Sequence, residues 1–322
     1  MNTENINDVT LLSTLCEAGE ISADLLAERF SVTKEAILSH LHYWQAQGVP
    51  LHFEQNDEKI YFDSKLPLLD GRKILPLLPN TRLIYQPVIG STNDFLLTHQ
   101  DLQSGTLCMA EFQTHGRGRR GRQWFSPFAG QFIFSVLWQF PKQLDLSGLS
   151  LVVGLAIAKA LRQLGAEDVQ LKWPNDILLK GKKLGGILVE LAFPPTPYCN
   201  AIIGVGLNWM FEREMPIDQP YTNLHSVLPE YDREAIFVAI WRQLNAFLEQ
   251  FTQFGFKPFV EMWREFDAFA GASIVLQNSH QQIQGIACGI DEKGWLILQN
   301  AQTGERESFC CGEFSLRSWQ KN

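Results

Sequence analysis

The chain has 322 residues, about twice the roughly 150 residues of a typical domain, so we expect two or three domains. Hydrophobic residues make up 45% and charged residues 19% of the sequence, which excludes a largely disordered protein. The sequence contains no run of about 18 apolar residues that could span a membrane. Its acidic first residues lack the basic region of a secretory signal, so we expect a cytoplasmic protein without a membrane partner.

The net charge of −8 is unevenly distributed along the chain. Residues 1–65 hold four Lys or Arg against eleven Asp or Glu and therefore carry −7, whereas the rest of the chain carries −1. The six cysteines show no C-x-x-C spacing, so we expect reduced thiols and no structural metal site. The adjacent Cys310 and Cys311 indicate no particular function.

Residues 1–65 contain three predicted helices and a hairpin. The apolar stripes that predict the helices are Leu11, Leu12 and Leu15, then Leu25, Leu26 and Phe30 after the N-cap Ser22, then Ile37, Leu41 and Trp44. Only residues 31–33 separate the second helix from the third, which is the spacing of a helix-turn-helix. The β-like runs 51–53 and 60–62 follow as a wing, so the sequence predicts a winged helix-turn-helix.

The rest of the chain divides into three further parts. Residues 66–80, which mix proline with leucine, are predicted to be a linker that contains one helical turn. In residues 81–269 several strands follow one another without a helix between them, which favours a mixed-sheet α+β domain over strict βαβ winding. The predicted strands are 82–88, 106–112, 132–139, 169–173, 187–193 and 200–207, and the helices are 149–164, 233–251 and 257–266. Short strands in residues 270–322 predict a small five-stranded barrel.

Four arginines and three glycines crowd into residues 116–122, which read G-R-G-R-R-G-R. This segment matches G-x-G-x-x-G, but the residues that follow, QWFSP, are poor material for the helix that a dinucleotide-binding turn requires. Glycines let the backbone approach a ligand, and arginines donate bidentate hydrogen bonds to carboxylate or phosphate groups. We therefore interpret residues 116–122 as a mobile, anion-binding loop, called the arginine loop below.

Two further stretches place charged residues beside predicted strands. The stretch Lys172-Trp173-Pro174-Asn175-Asp176 closes one strand, and its proline should end the strand so that Asn175 and Asp176 turn the chain. Lys183 precedes two glycines and the strand 187–193, where it could neutralise charge that develops on a phosphate or carboxylate oxygen. Taken alone, the first stretch is more often an ordinary turn, and a lone lysine is usually part of the solvated surface.

In combination, these stretches resemble the biotin protein ligase family and, with the N-terminal unit, its bifunctional members that also repress the biotin operon. The resemblance covers nearly the whole chain, and the arginine loop followed by K-W-P-N-D about fifty residues later is highly specific. The other matching motifs are 91–93 (STN), Gln113, 124–127 (WFSP), 183–188 (KLGGIL), 204–208 (GVGLN) and 312–317 (GEFSLR). The chain departs from the family at Ile133, which stands where an aromatic contact is expected.

The resemblance implies a central domain similar to class II synthetases, an SH3-like C-terminal barrel and a two-step reaction. Biotin and MgATP would give biotinyl-5′-AMP and pyrophosphate, and biotin would then pass to a lysine of the biotin carboxyl carrier protein of acetyl-CoA carboxylase. It implies that biotin contacts Ser91, Thr92, Asn93, Gln113, Arg117, Gly118, Arg119 and Lys183. It implies that ATP and the adenylate contact Arg119, Arg122, Trp124, Lys172, Asn175, Asp176 and Asn208. Lys183 and Arg119 would be catalytic, and Asp176 would face Mg²⁺.

For residues 1–65 the resemblance implies binding to operator DNA, with Lys34, Ser39 and His40 as contacts, and a homodimer when biotinyl-AMP is bound. The net charge of −7 argues against DNA binding, so a ligase whose N-terminal unit does not bind DNA stays open. A lipoate ligase-like enzyme is a second alternative, although that family lacks the arginine loop. A ligand-sensing transcription factor without catalysis is a third, although it would not need Lys183.

Overall fold

The computed structural model describes residues 6–62, 67–78, 81–99, 101–194, 196–211, 214–215, 217, 219–278, 281–310 and 314–318. Its helices are α1 (Asp8–Ala18), α2 (Ala23–Phe30), α3 (Lys34–Ala46), α4 (Gly71–Ile74), α5 (Thr92–Thr98), α6 (Leu149–Gln163), α7 (Arg233–Phe254) and α8 (Val260–Phe266). The first nine strands are β1 (Glu20–Ser22), β2 (Leu51–Glu54), β3 (Lys59–Phe62), β4 (Arg82–Tyr85), β5 (Val88–Ile89), β6 (Thr106–Ala110), β7 (Phe112–Gln113), β8 (Gln131–Pro141) and β9 (Val169–Lys172). The others are β10 (Asp176–Leu179), β11 (Lys182–Ala192), β12 (Tyr198–Asn208), β13 (Ser273–Gln277), β14 (Gln282–Ile290), β15 (Leu296–Asn300), β16 (Arg306–Phe309) and β17 (Ser315–Ser318).

The N-terminal unit consists of α1, α2, α3 and a three-stranded sheet in the order β1-β3-β2. Each helix begins after a side chain that accepts a hydrogen bond from a backbone N–H three residues on: Asn7, Ser22 and Thr33. The three predicted helices and the hairpin are confirmed, and β1 is an additional strand. The predicted stripe on α2 is wrong at Leu25, which is 52% exposed, because this short helix buries the face formed by Ala23, Leu26 and Ala27.

The segment that follows this unit is fixed to the rest of the molecule. It forms α4, whose N-cap Asp70 accepts from the backbone of Arg72, and then a single turn of 3-10 helix at Leu75–Leu77. Leu69, Ile74 and Leu78 are buried in the main hydrophobic core. The predicted helical turn is therefore confirmed, but the described part of the linker packs as a structural element and does not act as a loose tether. Residues 63–66, 79 and 80 of the predicted N-terminal unit and linker lie outside the described residues.

A seven-stranded sheet in the order β4-β6-β8-β12-β11-β10-β9 forms the centre of the molecule. Only β4 and β6 pair in parallel, and every other pair in this sheet is antiparallel. Helices α6 and α7 pack against one face and bury the main core, whereas α5 covers a smaller core on the opposite face. The predicted mixed sheet is confirmed, and because one face is only partly covered by α5, room is left there for a cavity.

Two predictions for the β9–β11 side of the sheet are wrong. The strand predicted at 187–193 begins five residues earlier, so Lys183 lies within β11 and is not ahead of it. Asp176 does not turn the chain but begins β10, which pairs with both β9 and β11. The chain reverses instead at residues 173–175, where the Trp173–Pro174 peptide is cis. Polar residues can enter these strands because one face of this edge of the sheet is open, so an apolar pattern is not required there.

The C-terminal five-stranded sheet has the order β16-β15-β14-β13-β17. The predicted number of strands is confirmed, and the core of this sheet contains Ile274, Leu276, Ala287, Leu298 and Leu316. Trp173 connects it to the central domain, because its indole Nε1 donates to the carbonyl of Gly294 at 3.2 Å. The C-terminal sheet is thereby held next to the edge strand β9 and its neighbour β10.

Some chemical features are absent from the part of the chain that the structure describes. No helix there is long and apolar enough to cross a membrane. The described cysteines (Cys16, Cys108, Cys199, Cys288 and Cys310) are free thiols, and burial raises the pKa of Cys16 and of Cys108 to about 12. No group of three or more His, Cys, Asp or Glu side chains in these residues is arranged to bind a metal ion.

A buried ion pair joins the segment before α4 to the sheet and to α7. Arg233 and Glu111 are 1% and 0% exposed, and Arg233 Nη1 lies 2.9 Å from Glu111 Oε2. The other carboxylate oxygen accepts from the backbone N–H of Leu69 and from the hydroxyl of Tyr85, each at 2.7 Å. Arg233 also donates to the carbonyl oxygens of Pro67 at 2.9 Å and of Gln131 at 2.6 Å. The two charges therefore hold together three parts of the chain that are distant in sequence.

We expect Glu111→Gln to destabilise the protein strongly, because it leaves the buried Arg233 charge without its partner. Removing one member of a buried pair costs about 3–5 kcal/mol, whereas replacing both by apolar residues is often nearly neutral. The measurement is urea unfolding of the wild type, of Glu111→Gln and of the double variant Glu111→Leu with Arg233→Met. Arg72→Gln, which removes the exposed pair with Asp70, is the control and should leave the transition unchanged. A Glu111→Gln transition equal to that of the wild type would contradict the expectation.

Candidate active site

A cavity of about 730 Å³ opens on the face of the central sheet near α5. Every residue predicted to bind biotin, to bind ATP or to be catalytic lines it: Ser91, Thr92, Asn93, Gln113, Arg117, Gly118, Arg119, Arg122, Trp124, Lys172, Asn175, Asp176, Lys183 and Asn208. The sequence stretches that carry these residues are up to 117 positions apart, so their convergence is a property of the fold. The residues predicted to contact DNA lie elsewhere, in the N-terminal unit.

Three glycines of β11 and β12 form part of the cavity floor. A Cβ atom at Gly206 would overlap the indole of Trp124, and one at Gly186 would lie 3.0 Å from the same ring. A Cβ atom at Gly204 would overlap the amide of Asn93. Side chains are therefore excluded from the floor, and Trp124 and Asn93 lie directly on the sheet.

One end of the cavity presents neutral hydrogen-bonding groups. Ser91 is the N-cap of α5, and its hydroxyl accepts from the backbone N–H of Asp94. Thr92 donates from both its backbone N–H and its hydroxyl to Gln113 Oε1, at 2.8 and 3.1 Å. Ser135, which was not predicted, lies with its hydroxyl 2.6 Å from Asn93 Oδ1 and 2.7 Å from Thr92 Oγ1. This end suits a polar but uncharged ligand group.

The arginine loop is a closed hairpin whose backbone bonds to itself. The N–H of Gly118 donates to the carbonyl of Arg122 at 2.7 Å, and that of Trp124 donates to the carbonyl of Gly116 at 2.8 Å. Arg120 adopts a left-handed conformation with φ 59°, and its guanidinium contacts the carbonyl of Gln277 in β13. The loop thus lies between the central sheet and the C-terminal sheet and forms a lip of the cavity.

Glu190 attaches the arginine loop to the sheet and was missed by the sequence analysis. Its two carboxylate oxygens accept from both terminal nitrogens of Arg117, at 2.9 and 2.7 Å, and one also accepts from Asn93 Nδ2 at 2.8 Å. Asp94 forms a second ion pair with Arg117. No motif marked Glu190, and the signal was only that it is an acidic residue within the apolar second half of β11. Glu190 therefore couples the loop to the neutral end of the cavity.

The opposite end of the cavity is dominated by positive charge. Lys183 Nζ lies 2.9 Å from Asp176 Oδ1 and 5.5 Å from the ring centre of Trp124. Lys172 Nζ lies 4.0 Å from the other oxygen of Asp176. Arg119 donates to Asn175 Oδ1 at 3.0 Å, and Asn175 in turn donates to the carbonyl of Ile187 at 3.1 Å. This end is arranged to receive a strongly anionic group.

Burial lowers the pKa of Lys172 below the ordinary value for lysine, and neighbouring cations lower it further. Burial of the ammonium group is the largest cause, and the positive charges of Lys183, Arg317 and Arg122 add to it, while Asp176 acts in the opposite direction. Phe314, Leu316 and Arg317 of the C-terminal segment also line the cavity, so the matching part of the closing motif reaches the site. Residues 312 and 313 of that motif lie outside the described residues.

The donor set for magnesium is small. Asp176 is the only carboxylate among the described residues that line the cavity. Mg²⁺ that is bound mainly by phosphate oxygens and water needs only one or two protein carboxylates, so Asp176 fits such an ion. The two lysines beside it would then face the phosphate groups.

The residues predicted to contact DNA differ in their positions on α3. Ser39 is exposed. Lys34 forms an ion pair with Asp24 at 2.9 Å. His40 turns towards α1, where its ring packs against Trp44 at 4.9 Å and its Nε2 lies 3.0 Å from Asp8 Oδ1, a close approach without hydrogen-bond geometry. The DNA contacts therefore stay predictions, and the position of His40 supports a packing role.

Comparison with known proteins agrees with this arrangement. The model of the biotin/lipoate A/B protein ligase family matches residues 85–208, a range that contains every lining residue predicted above. The bifunctional ligase/repressor BirA of Escherichia coli (strain K12) is 35% identical over 322 residues, which cover 99% of each chain. The chain belongs to the biotin protein ligase family. The BirA of Salmonella typhimurium is 37% identical, and the match covers 96% of this chain and 97% of that protein.

Solved structures of this family show the same fold for the larger part of the chain. The biotin protein ligase from Aquifex aeolicus in complex with biotin and ATP is 30% identical with a TM-score of 0.66. The match covers 74% of this chain and 99% of the Aquifex chain. The two BirA proteins are similar to this chain over nearly its full length, including the N-terminal unit.

We expect the binding of a polyphosphate anion to be coupled to proton uptake by Lys172. At a pH between its lowered pKa and the ordinary 10.5, Lys172 is mostly neutral in the free protein and becomes protonated when an anion lies beside it. The measurement is calorimetry of pyrophosphate binding at such a pH, in buffers with different ionisation enthalpies. Lys172→Arg, which stays charged, should abolish the excess uptake. Equal proton uptake by the variant and the wild type would contradict the assignment.

Proposed function

We propose that this protein is an ATP-dependent biotin–protein ligase that forms biotinyl-5′-AMP and transfers biotin to a carrier-protein lysine. The observation that carries the proposal is the polarity of the cavity, which is neutral and hydrogen-bonding at one end and cationic at the other. Biotin has the same polarity, because its ring system is uncharged and its valerate chain ends in a carboxylate. The similarity to BirA over the whole chain supports the same conclusion.

In the first step, a carboxylate oxygen of biotin attacks the α-phosphorus of ATP. The bond from that phosphorus to the bridging oxygen breaks, and pyrophosphate leaves with the bonding electrons. Both reactants are anions, so the main contribution of the protein is alignment and positive charge. Lys183 exchanges its partner Asp176 for the reacting oxygens, Lys172 lies beside it, and Arg119 leaves Asn175 to contact the phosphate.

Asp176 would bind the Mg²⁺ ion that accompanies ATP. The ion supplies charge neutralisation on the phosphate oxygens. Asp176 also holds the ammonium group of Lys183 at 2.9 Å, so the carboxylate that would hold the ion is the one that positions Lys183.

In the second step, the amine of a carrier lysine attacks the acyl carbon of biotinyl-5′-AMP. A C–N bond forms, the bond from the acyl carbon to the phosphate oxygen breaks, and AMP leaves while the amine proton passes to solvent. The carrier of the proposal is the biotin carboxyl carrier protein of acetyl-CoA carboxylase. Lys183 and Arg119 stabilise the negative charge that develops on the acyl and phosphate oxygens.

Biotin is favoured over lipoate by the neutral end of the cavity. Thr92, Asn93 and Gln113 are held in a hydrogen-bonded cluster, and burying them against an apolar disulfide ring would leave their polar groups without partners. The cyclic urea of biotin provides both N–H donors and a carbonyl acceptor for such groups. A noncatalytic sensor is disfavoured, because it would not need the cluster of Lys183, Lys172 and Arg119 at the other end.

We expect release of pyrophosphate when the protein is mixed with MgATP and biotin, and no release with lipoate. Lys183→Ala should lower the rate by at least about 100-fold, because it removes positive charge that is needed in the transition state. Lys182→Ala, which changes the exposed neighbour on β11, is the matched control and should retain the rate. The assay follows released pyrophosphate with a coupled phosphatase. If neither biotin nor lipoate caused release of pyrophosphate, the protein would be a binding protein and not a ligase.

We propose that residues 1–65 form a winged helix-turn-helix that represses transcription. Residues 66–80 are then a linker, residues 81–269 the catalytic domain and residues 270–322 an SH3-like domain. Similarity to the bifunctional BirA proteins over residues 1–65 supports the repressor role.

We also propose that the protein forms a homodimer when biotinyl-AMP is bound. The edge of β11 supports it, because β10 pairs with β11 only as far as Gly186, whereas the apolar Leu191 beyond it is 43% exposed.

We expect Asp24→Asn to strengthen DNA binding, because Asp24 neutralises Lys34 at the start of α3. A freed lysine that contacts one further phosphate should steepen the slope of log K against log salt by about 0.9. The measurement is fluorescence anisotropy with duplex DNA of mixed sequence at several salt concentrations. Glu28→Gln is the control, because Glu28 lies on the same helix and makes no ion pair with a described residue. No binding by any variant would favour the ligase whose N-terminal unit does not bind DNA.

A further inference from the structure

A buried glutamine at the rear of the cavity contacts Trp124 and Asn208, two residues for which the family resemblance implies contacts with the nucleotide. Gln131 is the first residue of β8 and is 1% exposed. Its Oε1 accepts from the indole Nε1 of Trp124 at 3.0 Å, and its Nε2 donates to Asn208 Oδ1 at 2.9 Å. The same Nε2 lies 3.2 Å from the carbonyl of Phe125. One amide group therefore bonds both to the indole of Trp124 and to Asn208 at the end of β12.

The direction of these hydrogen bonds is determined by Trp124. An indole N–H can only donate, so the atom of Gln131 that faces it must be the oxygen. The amide nitrogen of Gln131 then faces Asn208, which must present its own oxygen. The nitrogen of Asn208 is left to donate to the carbonyls of Thr222 at 2.9 Å and Lys183 at 3.4 Å, as observed. A single donor thus sets the orientation of two successive amides.

The hydrogen bonds of the Asn208 side chain determine what it can offer to a ligand. Both N–H groups of its amide are directed to backbone carbonyls, and one lone pair of its oxygen is directed to Gln131. Among the described residues, none donates to the second lone pair of that oxygen. Asn208 can therefore accept a hydrogen bond from a ligand in the cavity but cannot donate one, which suits a ligand edge with an amino group.

The backbone of Gln131 is fixed as firmly as its side chain. It pairs with Asn208 in the register of β8 and β12, and its carbonyl oxygen accepts from the buried Arg233 at 2.6 Å. The amide of Gln131 therefore has little freedom to rotate or to move away. It can hold the two nucleotide-facing groups in one geometry before any ligand arrives, which reduces the entropy lost on binding.

We propose that Gln131 is a positioning residue for the nucleotide, which acts by orienting the Trp124 indole and the Asn208 amide together. This proposal rests on the proposed function, because it assumes that ATP occupies the cationic end of the cavity. Gln131 contacts no reacting atom. Its effect should therefore appear as weaker ATP binding, with biotin binding unchanged.

The test compares steady-state kinetics of two variants of the full chain. Gln131→Glu can still accept from the Trp124 indole but cannot donate to Asn208, whereas Gln131→Leu loses both bonds. We expect the KM for ATP to rise at least about tenfold in each, with the KM for biotin and kcat changed less than about threefold. An unchanged KM for ATP, or an equal rise in both KM values, would overturn the proposal.

The chain offers a matched control on the same two strands. Gln139 of β8 donates to Asn200 of β12 at 3.2 Å, and these two residues are direct register partners like Gln131 and Asn208. This second pair lies at the other end of the strands and does not line the cavity. Gln139→Leu removes the same type of bond and should leave the KM for ATP unchanged. A rise equal to that of Gln131→Leu would attribute the effect to sheet stability and refute positioning.

A second measurement does not depend on enzyme activity, and it compares both Gln131 variants. The indole N–H resonance of Trp124 is assigned in 15N spectra by its loss in Trp124→Phe. Gln131→Leu should shift this resonance and speed its exchange with solvent, whereas Gln131→Glu should retain the protection. If the resonance behaves so but the wild type releases no pyrophosphate, the proposed function fails and the positioning of Trp124 stands. An unaltered resonance in Gln131→Leu would overturn the positioning itself.

Discussion

The ion pair between Arg233 and Glu111 is the interaction on which the rest of the structure most depends. Two charges removed from water are tolerated only when further hydrogen bonds accompany their attraction, and here those bonds come from the backbone at Pro67, Leu69 and Gln131. The strands of the central sheet, the start of α7 and the segment that leads from the N-terminal unit therefore share one anchor. Since Gln131 is also part of the cavity wall, the same anchor fixes the rear of the active site.

The two ends of the cavity are lined by different kinds of side chain. Neutral side chains at one end are bonded to each other and to Glu190, so they are oriented before a ligand enters. Cations at the other end are held by Asp176 and Asn175, so they are close together without being released into solvent. This arrangement keeps the ammonium and guanidinium groups in place although they repel each other.

The sequence predicted most of the residues that line the cavity, because its motifs contain them. The arginine loop was identified from its residue types, and Lys183 and Asp176 were identified from the combination of motifs; the structure brings them to one cavity. The positions of Lys183 and Asp176 within strands were not predicted, because an open sheet face removes the apolar alternation on which strand prediction relies. Glu190 and Gln131 escaped notice for a different reason. They act through other side chains, and which side chains those are depends on pairing between distant strands.

The contact between Trp124 and the glycines of the sheet has a consequence for how this site can change over generations. The indole lies against Gly186 and Gly206, where a single methyl group would overlap it or press against it. A larger residue at either position is therefore accessible only after Trp124 has become smaller, and the loss of Trp124 leaves a hole until a glycine is replaced. Positions 124, 186 and 206 form a linked set in which the order of substitutions matters. Their history would be readable as correlated replacement across related sequences.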